Sequence, residues 1–214
     1  MSTITAILPH PRRAGRFDVQ VDGRSVGAMT LEALERLGLR VGVAFEPARA
    51  AFEVELSRLA TWDRATNMLA LRARSRAELR RALLLKGGAA VQVDDVLERL
   101  ELAGYLDDES FARQFARSKA VGGGMSKRRV QQELVRRGVS RDIAGRAVDE
   151  VFVEEAVDEF EAVLRAARKK LRTLERVDAP TRRRRLYGFL ARKGFESEDV
   201  IRVMRELGVD GLEG

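Results

Sequence analysis

The sequence predicts a mainly α protein, a tandem array of three three-helix repeats led by a small N-terminal β-hairpin and strand module. Three observations predict it. The pattern Leu-x-x-[Lys/Arg]-Gly closes a helical stretch three times, at 83–87, 134–138 and 190–194. From Thr61 onward apolar residues recur at helical spacing and proline is scarce. Before that, two short stretches alternate apolar and polar residues around Asp22-Gly23, a strong two-residue hairpin signal.

The lead module takes residues 1–45. Residues 3–8 and 16–21 read as strands and 25–29 as the returning strand. Thr30 is placed to cap a short helix running to Leu37, with Gly38 to end it. A second helix is expected from about Pro47 towards Leu59.

The three repeats are assigned to 46–106 (with the linker helix), 107–151 and 152–214. Each has a longer first helix, expected at 63–74, 109–119 and 153–174. The middle helix carries the recurring Leu and ends at Gly87, Gly138 or Gly194, which lie 51 and 56 residues apart. Glycine suits the left-handed position after a helix, and a basic residue suits the negative end of its dipole. Ser75, Ser126 and Thr181 stand where the middle helices need caps, and Ser75 with Glu78 has the spacing of a capping box. A short third helix follows each glycine, at 93–102, 141–151 and 197–207. A three-helix unit buries little apolar surface alone, so neighbouring units must stack.

The net charge is +7 and the pI near 10.3, a balance that favours polyanionic partners. Almost all the cations are arginine, which binds phosphate and carboxylate in a bidentate fork; codon bias in a GC-rich genome is the competing explanation. Registered on Leu83, Leu134 and Leu190, the repeats place Arg76, Lys127 and Arg183 seven positions earlier, and Lys86, Arg137 and Lys193 three later. Repeats two and three also share Arg129 with Arg185, and Arg136 with Arg192, where repeat one has Glu78 and Leu85. Positions seven apart lie on nearly one helix face. With Arg128, Arg168, Lys169, Lys170, Arg182 and Arg184, these residues make a candidate basic surface in repeats two and three. A solvated helix face is the alternative, since Glu154, Glu155, Asp158, Glu159 and Glu161 precede the basic run on what reads as the same helix.

Catalytic chemistry finds no constellation. His10 is the only histidine and there is no cysteine, so neither a His-based triad nor a zinc site is expected. The triplet 122–124 is glycine but lacks the Lys-Ser/Thr of a phosphate loop, and reads as a hinge. Asp107-Asp108-Glu109 and Asp94-Asp95 read as helix-start acids. Trp62, Tyr105, Phe111, Phe115, Phe189 and Phe195 read as core. No signal peptide or membrane span is expected, which makes the cytoplasm the default.

At Gly104-Tyr105-Leu106-Asp107-Asp108, followed by Phe111-Ala112, the chain resembles the G-[YL]-[LI]-[DN]-D-x-x-[FY]-A motif of RecX regulatory proteins. Ala65, Leu69, Arg72, Ser75, Glu78-Leu79 and Lys86-Gly87 resemble that family's opening block. Gly124, Glu133-Leu134, Gly138 and Ile143 resemble its central block, and Leu190, Lys193-Gly194-Phe195 and Val200-Ile201 its terminal one. Arg137 stands where the family usually has lysine. The resemblance spans roughly residues 62–207. It implies a monomeric, non-catalytic protein without cofactors that acts in DNA repair, recombination and the SOS response. Such a protein binds the groove of the RecA–DNA filament and inhibits ATPase, strand exchange and filament extension. It also implies weak, non-specific binding of single- and double-stranded DNA. A helix-turn-helix transcription regulator and a DNA-independent helical scaffold are the competing readings.

Overall fold

The computed structural model describes residues 2–122 and 124–209. The chain divides into two compact units, Met1–Arg72 with Leu79–Tyr105, and Ala73–Glu78 with Leu106–Gly214.

The first unit opens with three antiparallel strands in the order β1 (Ile4–Pro9), β2 (Arg16–Val21) and β3 (Arg24–Thr30). Asp22 and Gly23 both take positive φ, 49° and 75°, which is the two-residue hairpin geometry their identities favour. β3 bulges where Val19 pairs with Gly27 and Gln20 with Ser25. A Cβ on Gly27 would lie 2.7 Å from the Leu56 side chain, so glycine lets the strand approach the helix that carries Leu56. Thr30 caps α1 (Leu31–Arg36) by accepting from the Ala33 N–H. The core of Ile4, Val19, Val21, Met29, Leu34 and Phe45 continues into Phe52, Leu56 and Leu59, with Phe45 and Phe52 edge to face at 5.1 Å.

Where the sequence predicts two helices, near 47–59 and 63–74, one helix α2 runs unbroken from Arg49 to Leu71. No glycine or proline interrupts this stretch. The Thr61 and Thr66 hydroxyls donate to the carbonyls of Ser57 and Trp62 four residues earlier and so stay inside the helix. α3 (Arg76–Leu85) and α4 (Ala90–Leu102) complete the first repeat, burying Leu79, Leu83, Val93, Leu97 and Leu100. Asp94 and Asp95 are not helix-start residues. They lie inside α4 and pair with Arg80, and with Arg58 and Arg99. Tyr105 is not core either: it is 65% exposed and meets Trp62 edge-on at 6.5 Å.

The second unit holds two repeats, each with its own apolar cluster. The former comprises α5 (Asp108–Arg117), α6 (Lys127–Arg136) and α7 (Arg141–Glu154). A π-helical turn, Ser118–Gly122, extends α5 into the glycine triplet, of which Gly123 lies outside the described residues. Asp107 caps α5 through the Glu109 and Ser110 N–H groups. The latter comprises α8 (Glu159–Arg172), α9 (Ala179–Arg192) and α10 (Ser197–Glu206). The helix expected over 153–174 is therefore shorter. Ala156 takes φ +46° and Asp158 caps α8, so Val153, Glu154 and Glu155 do not belong to α8. The cap of α9 is Asp178, which accepts from the Thr181 N–H, with Pro180 in the first turn; Thr181 itself lies inside the helix.

Candidate functional site: the repeat clasps and the third-repeat cations

The recurring glycine does two jobs. Gly87, Gly138 and Gly194 have φ of +82°, +88° and +86°, the left-handed conformation that ends a helix at little cost only for glycine. In the first two, the amide after the glycine donates to the recurring leucine: Gly88 to Leu83 at 3.1 Å and Val139 to Leu134 at 3.1 Å. The leucine, the basic residue and the glycine are thus one closing motif.

Within the second unit that motif also joins consecutive repeats. The Ser75 hydroxyl donates to the Arg137 carbonyl, and the Ser126 hydroxyl donates to the Gly194 carbonyl at 2.7 Å. Each serine oxygen also accepts from its own helix, from the Glu78 N–H at 3.1 Å or the Arg129 N–H at 3.2 Å. The next amide is held by an acid from the first turn of the following repeat. Arg76 N–H donates to Asp108 at 2.7 Å and Lys127 N–H to Glu159 at 2.9 Å. The fit is close: a Cβ on Gly138 would stand 2.2 Å from Ala77 Cβ, and one on Gly194 2.6 Å from Arg129 Cβ. Asp108 and Glu159 were invisible as joint residues in the sequence, because their partners lie 32 positions away.

The basic residues of the second repeat lie against carboxylates. Arg137 reaches Glu78 at 2.5 Å and lies over the Phe115 ring at 4.8 Å. Arg129 pairs with Glu133 at 2.6 Å, and Arg136 shares the same carboxylate at 3.4 Å. Lys127 meets Asp149 at 3.0 Å and Arg128 meets Glu196 at 3.5 Å. The basic rows of repeats two and three therefore differ in their ion pairs. Arg129 and Arg137 are held by these contacts, and Lys127, Arg128 and Arg136 each have a carboxylate within ion-pair distance.

The third repeat differs. Among the described residues, Arg168, Lys169, Lys170, Arg182, Arg183, Arg184, Arg185 and Arg192 have no carboxylate within ion-pair distance. Arg168, Lys169, Arg183, Arg184, Arg185 and Arg192 are exposed; Lys170 and Arg182 are half-buried. The Lys170 and Lys193 ammonium groups each lie 5.6 Å from the Phe189 ring centroid. Lys193 also donates to the Gly124 carbonyl at 3.2 Å. Burial, and then the neighbouring Lys169, hold Lys193 below the ordinary lysine range. Cations brought together without a counter-charge repel one another, and a bound polyanion relieves that repulsion.

The described residues contain no group of three acidic, histidine or cysteine side chains able to hold a metal. No helix among them is long and apolar enough to cross a membrane.

Three family models match the chain in order: the first RecX three-helix domain at residues 62–100, the second at 107–148 and the third at 157–204. Among curated relatives, "Regulatory protein RecX" of Amycolatopsis mediterranei is 37% identical over 140 residues, covering 65% of this chain and 78% of that one. The protein of the same name from Pelodictyon phaeoclathratiforme is 32% identical over 152 residues, covering 70% and 89%. A crystal structure of regulatory protein RecX has a TM-score of 0.73 at 19% identity, covering 96% of this chain and all of that one. A RecX structure from Lactobacillus salivarius has a TM-score of 0.54 at 15% identity, covering 72% and 97%; at these identities both speak for the fold alone.

Proposed function

The chain belongs to the RecX family, and from that premise we propose that it is a non-enzymatic negative regulator of the RecA recombinase. In this reading it binds in the groove of the RecA–DNA filament and inhibits ATP hydrolysis, strand exchange and filament extension. It contacts DNA weakly and without sequence preference.

The observation that carries the reading is the set of cations on α8 and α9 that have no carboxylate within ion-pair distance among the described residues. A filament groove offers phosphates at a regular pitch beside the same protein surface repeated once per protomer. Arg183, Arg184, Arg185 and Arg192, with Lys169, Lys170 and Lys193, supply charge for the phosphates, and contacts of this kind are sequence-independent. In this reading the second-repeat cations, each within reach of a carboxylate, contribute less, and the polyanion face lies on the third repeat. A chain that engages neighbouring protomers together resists the motions between them that accompany ATP turnover, and this accounts for inhibition without a catalytic group.

The test is RecA ATPase activity on single-stranded DNA while this protein is titrated in. The reading expects a concentration-dependent fall in turnover. Turnover that stays at its starting rate through stoichiometric excess refutes it.

A further inference from the structure

The two clasps follow one rule. A helix that ends in [Lys/Arg]-Gly receives, on its last carbonyls, the N-terminal end of another helix whose cap is a serine. Gly138 receives the Ser75 end of α3, and Gly194 the Ser126 end of α6. The poles match, since the negative end of one helix dipole meets the positive end of another.

Lys86-Gly87 ends α3 in the same geometry, with φ +82° and the same closing bonds. Among the described residues, chain neighbours aside, nothing lies within 4 Å of the Cβ position on Gly87. Among the described residues no hydroxyl donates to the carbonyl of Lys86 or Gly87.

The surface around this bare end is also different in kind. Two positions before the glycine, repeats two and three carry Arg136 and Arg192; the first repeat carries Leu85. Four positions after it they carry Asp142 and Glu198; the first repeat carries Val91. Leu85 and Val91 are each 83% exposed. The outermost repeat of an array normally turns a polar face to water. Here the two positions that are charged in the other repeats are apolar and exposed.

We propose that Leu85, Lys86, Gly87 and Val91 form a docking site for the N-terminal end of a helix in a partner protein. That helix carries a Ser or Thr cap, whose hydroxyl donates to the Lys86 or Gly87 carbonyl as Ser75 and Ser126 do within the chain. Its first turn is apolar enough to cover Leu85 and Val91. The choice of probe rests on the RecA-regulating reading: the probe is RecA assembled on single-stranded DNA.

The experiment replaces the apolar pair with the residues the second repeat uses, Leu85→Arg with Val91→Asp. It also fills the notch with Gly87→Asn, asparagine being tolerant of the left-handed conformation. Both side chains of the pair are exposed, so thermal stability is expected to hold. The half-inhibitory concentration against RecA ATPase is expected to rise at least about tenfold in each variant, with binding to a free oligonucleotide unchanged. Inhibition at the wild-type concentration in the double variant overturns the docking site while leaving the RecA reading intact. Changed self-association with unchanged inhibition assigns the face to a second copy and overturns it as well. A wild-type protein without effect on RecA removes the reading and this site together.

Discussion

Substituting alanine at the three repeat glycines separates the two demands placed on them. Gly87, Gly138 and Gly194 share φ values between +82° and +88°, so the cost of holding alanine in the left-handed region, about 1–2 kcal/mol, is common to all three. At Gly87 that is the whole effect, because the new methyl meets open space. At Gly138 the methyl would stand 2.2 Å from Ala77 Cβ, and at Gly194 2.6 Å from Arg129 Cβ and 2.7 Å from Ser126 Oγ. Carbon atoms in contact sit about 3.5–4.0 Å apart, so the helix ends must separate by roughly an ångström. Overpacking of this kind costs about 1–3 kcal/mol. The separation also stretches the Ser126–Gly194 hydrogen bond, and an unsatisfied buried group costs about 1–3 kcal/mol. Gly138→Ala and Gly194→Ala are therefore expected to lose roughly 2–4 kcal/mol more than Gly87→Ala, the lower part of those two costs added together. Urea unfolding followed by far-UV circular dichroism reads the difference from the midpoint and slope of each curve. Equal losses at the three sites would show that the close approach carries no energy, and the clasp would then be a consequence of the fold.

Three further outcomes follow from the same geometry. Ser126→Ala removes a helix cap and a buried interhelical hydrogen bond, whereas Ser140→Ala removes only an exposed cap; the former should cost about 1–3 kcal/mol more, and equal unfolding midpoints would contradict this. Asp178 is held below the ordinary carboxylate range by the backbone N–H of Thr181, then by the Thr181 hydroxyl. A depressed folded pKa means its cap stabilises fully above the ordinary range and fades as the pH falls through the lower value, so Asp178→Asn should flatten the acid limb of thermal stability, and an unchanged limb refutes the assignment. Lys193 is depressed by burial and by Lys169, so a bound oligonucleotide should raise its titration midpoint in side-chain NMR; an unmoved midpoint removes this cluster from the polyanion face.

The parts of the fold that are local were legible in the sequence. Asp22-Gly23 makes the hairpin because both residues accept positive φ, and Leu-x-x-[Lys/Arg]-Gly ends helices because its bonds close within six residues. Helix limits set by the absence of a breaker were harder. The run from Leu59 to Asp63 carries no stop signal, so two expected helices are one. Ala156, an ordinary residue, takes positive φ and separates α7 from α8. The candidate site was legible in composition but not in charge state. Arg129 stands four residues before Glu133, a spacing at which a helix places opposite charges together. The partners of Arg137, Lys127 and Arg128 are Glu78, Asp149 and Glu196. Glu78 and Asp149 lie on other helices and Glu196 just before α10, and only packing brings them near. Among the described residues the third-repeat cations have no carboxylate within ion-pair distance, a contrast that residue counts do not contain.

That contrast is the claim on which the functional account stands, and the salt dependence of binding to a single-stranded oligonucleotide tests it most directly. Each phosphate contact contributes about 0.7 to the slope of log affinity against log salt. Arg185→Gln with Arg192→Gln should lower the slope by up to about 1.4, two such contacts. Arg129→Gln with Glu133→Gln, which removes a neutralised pair, should leave it unchanged. A slope that falls in the second-repeat variant and stays constant in the third-repeat variant would contradict the account.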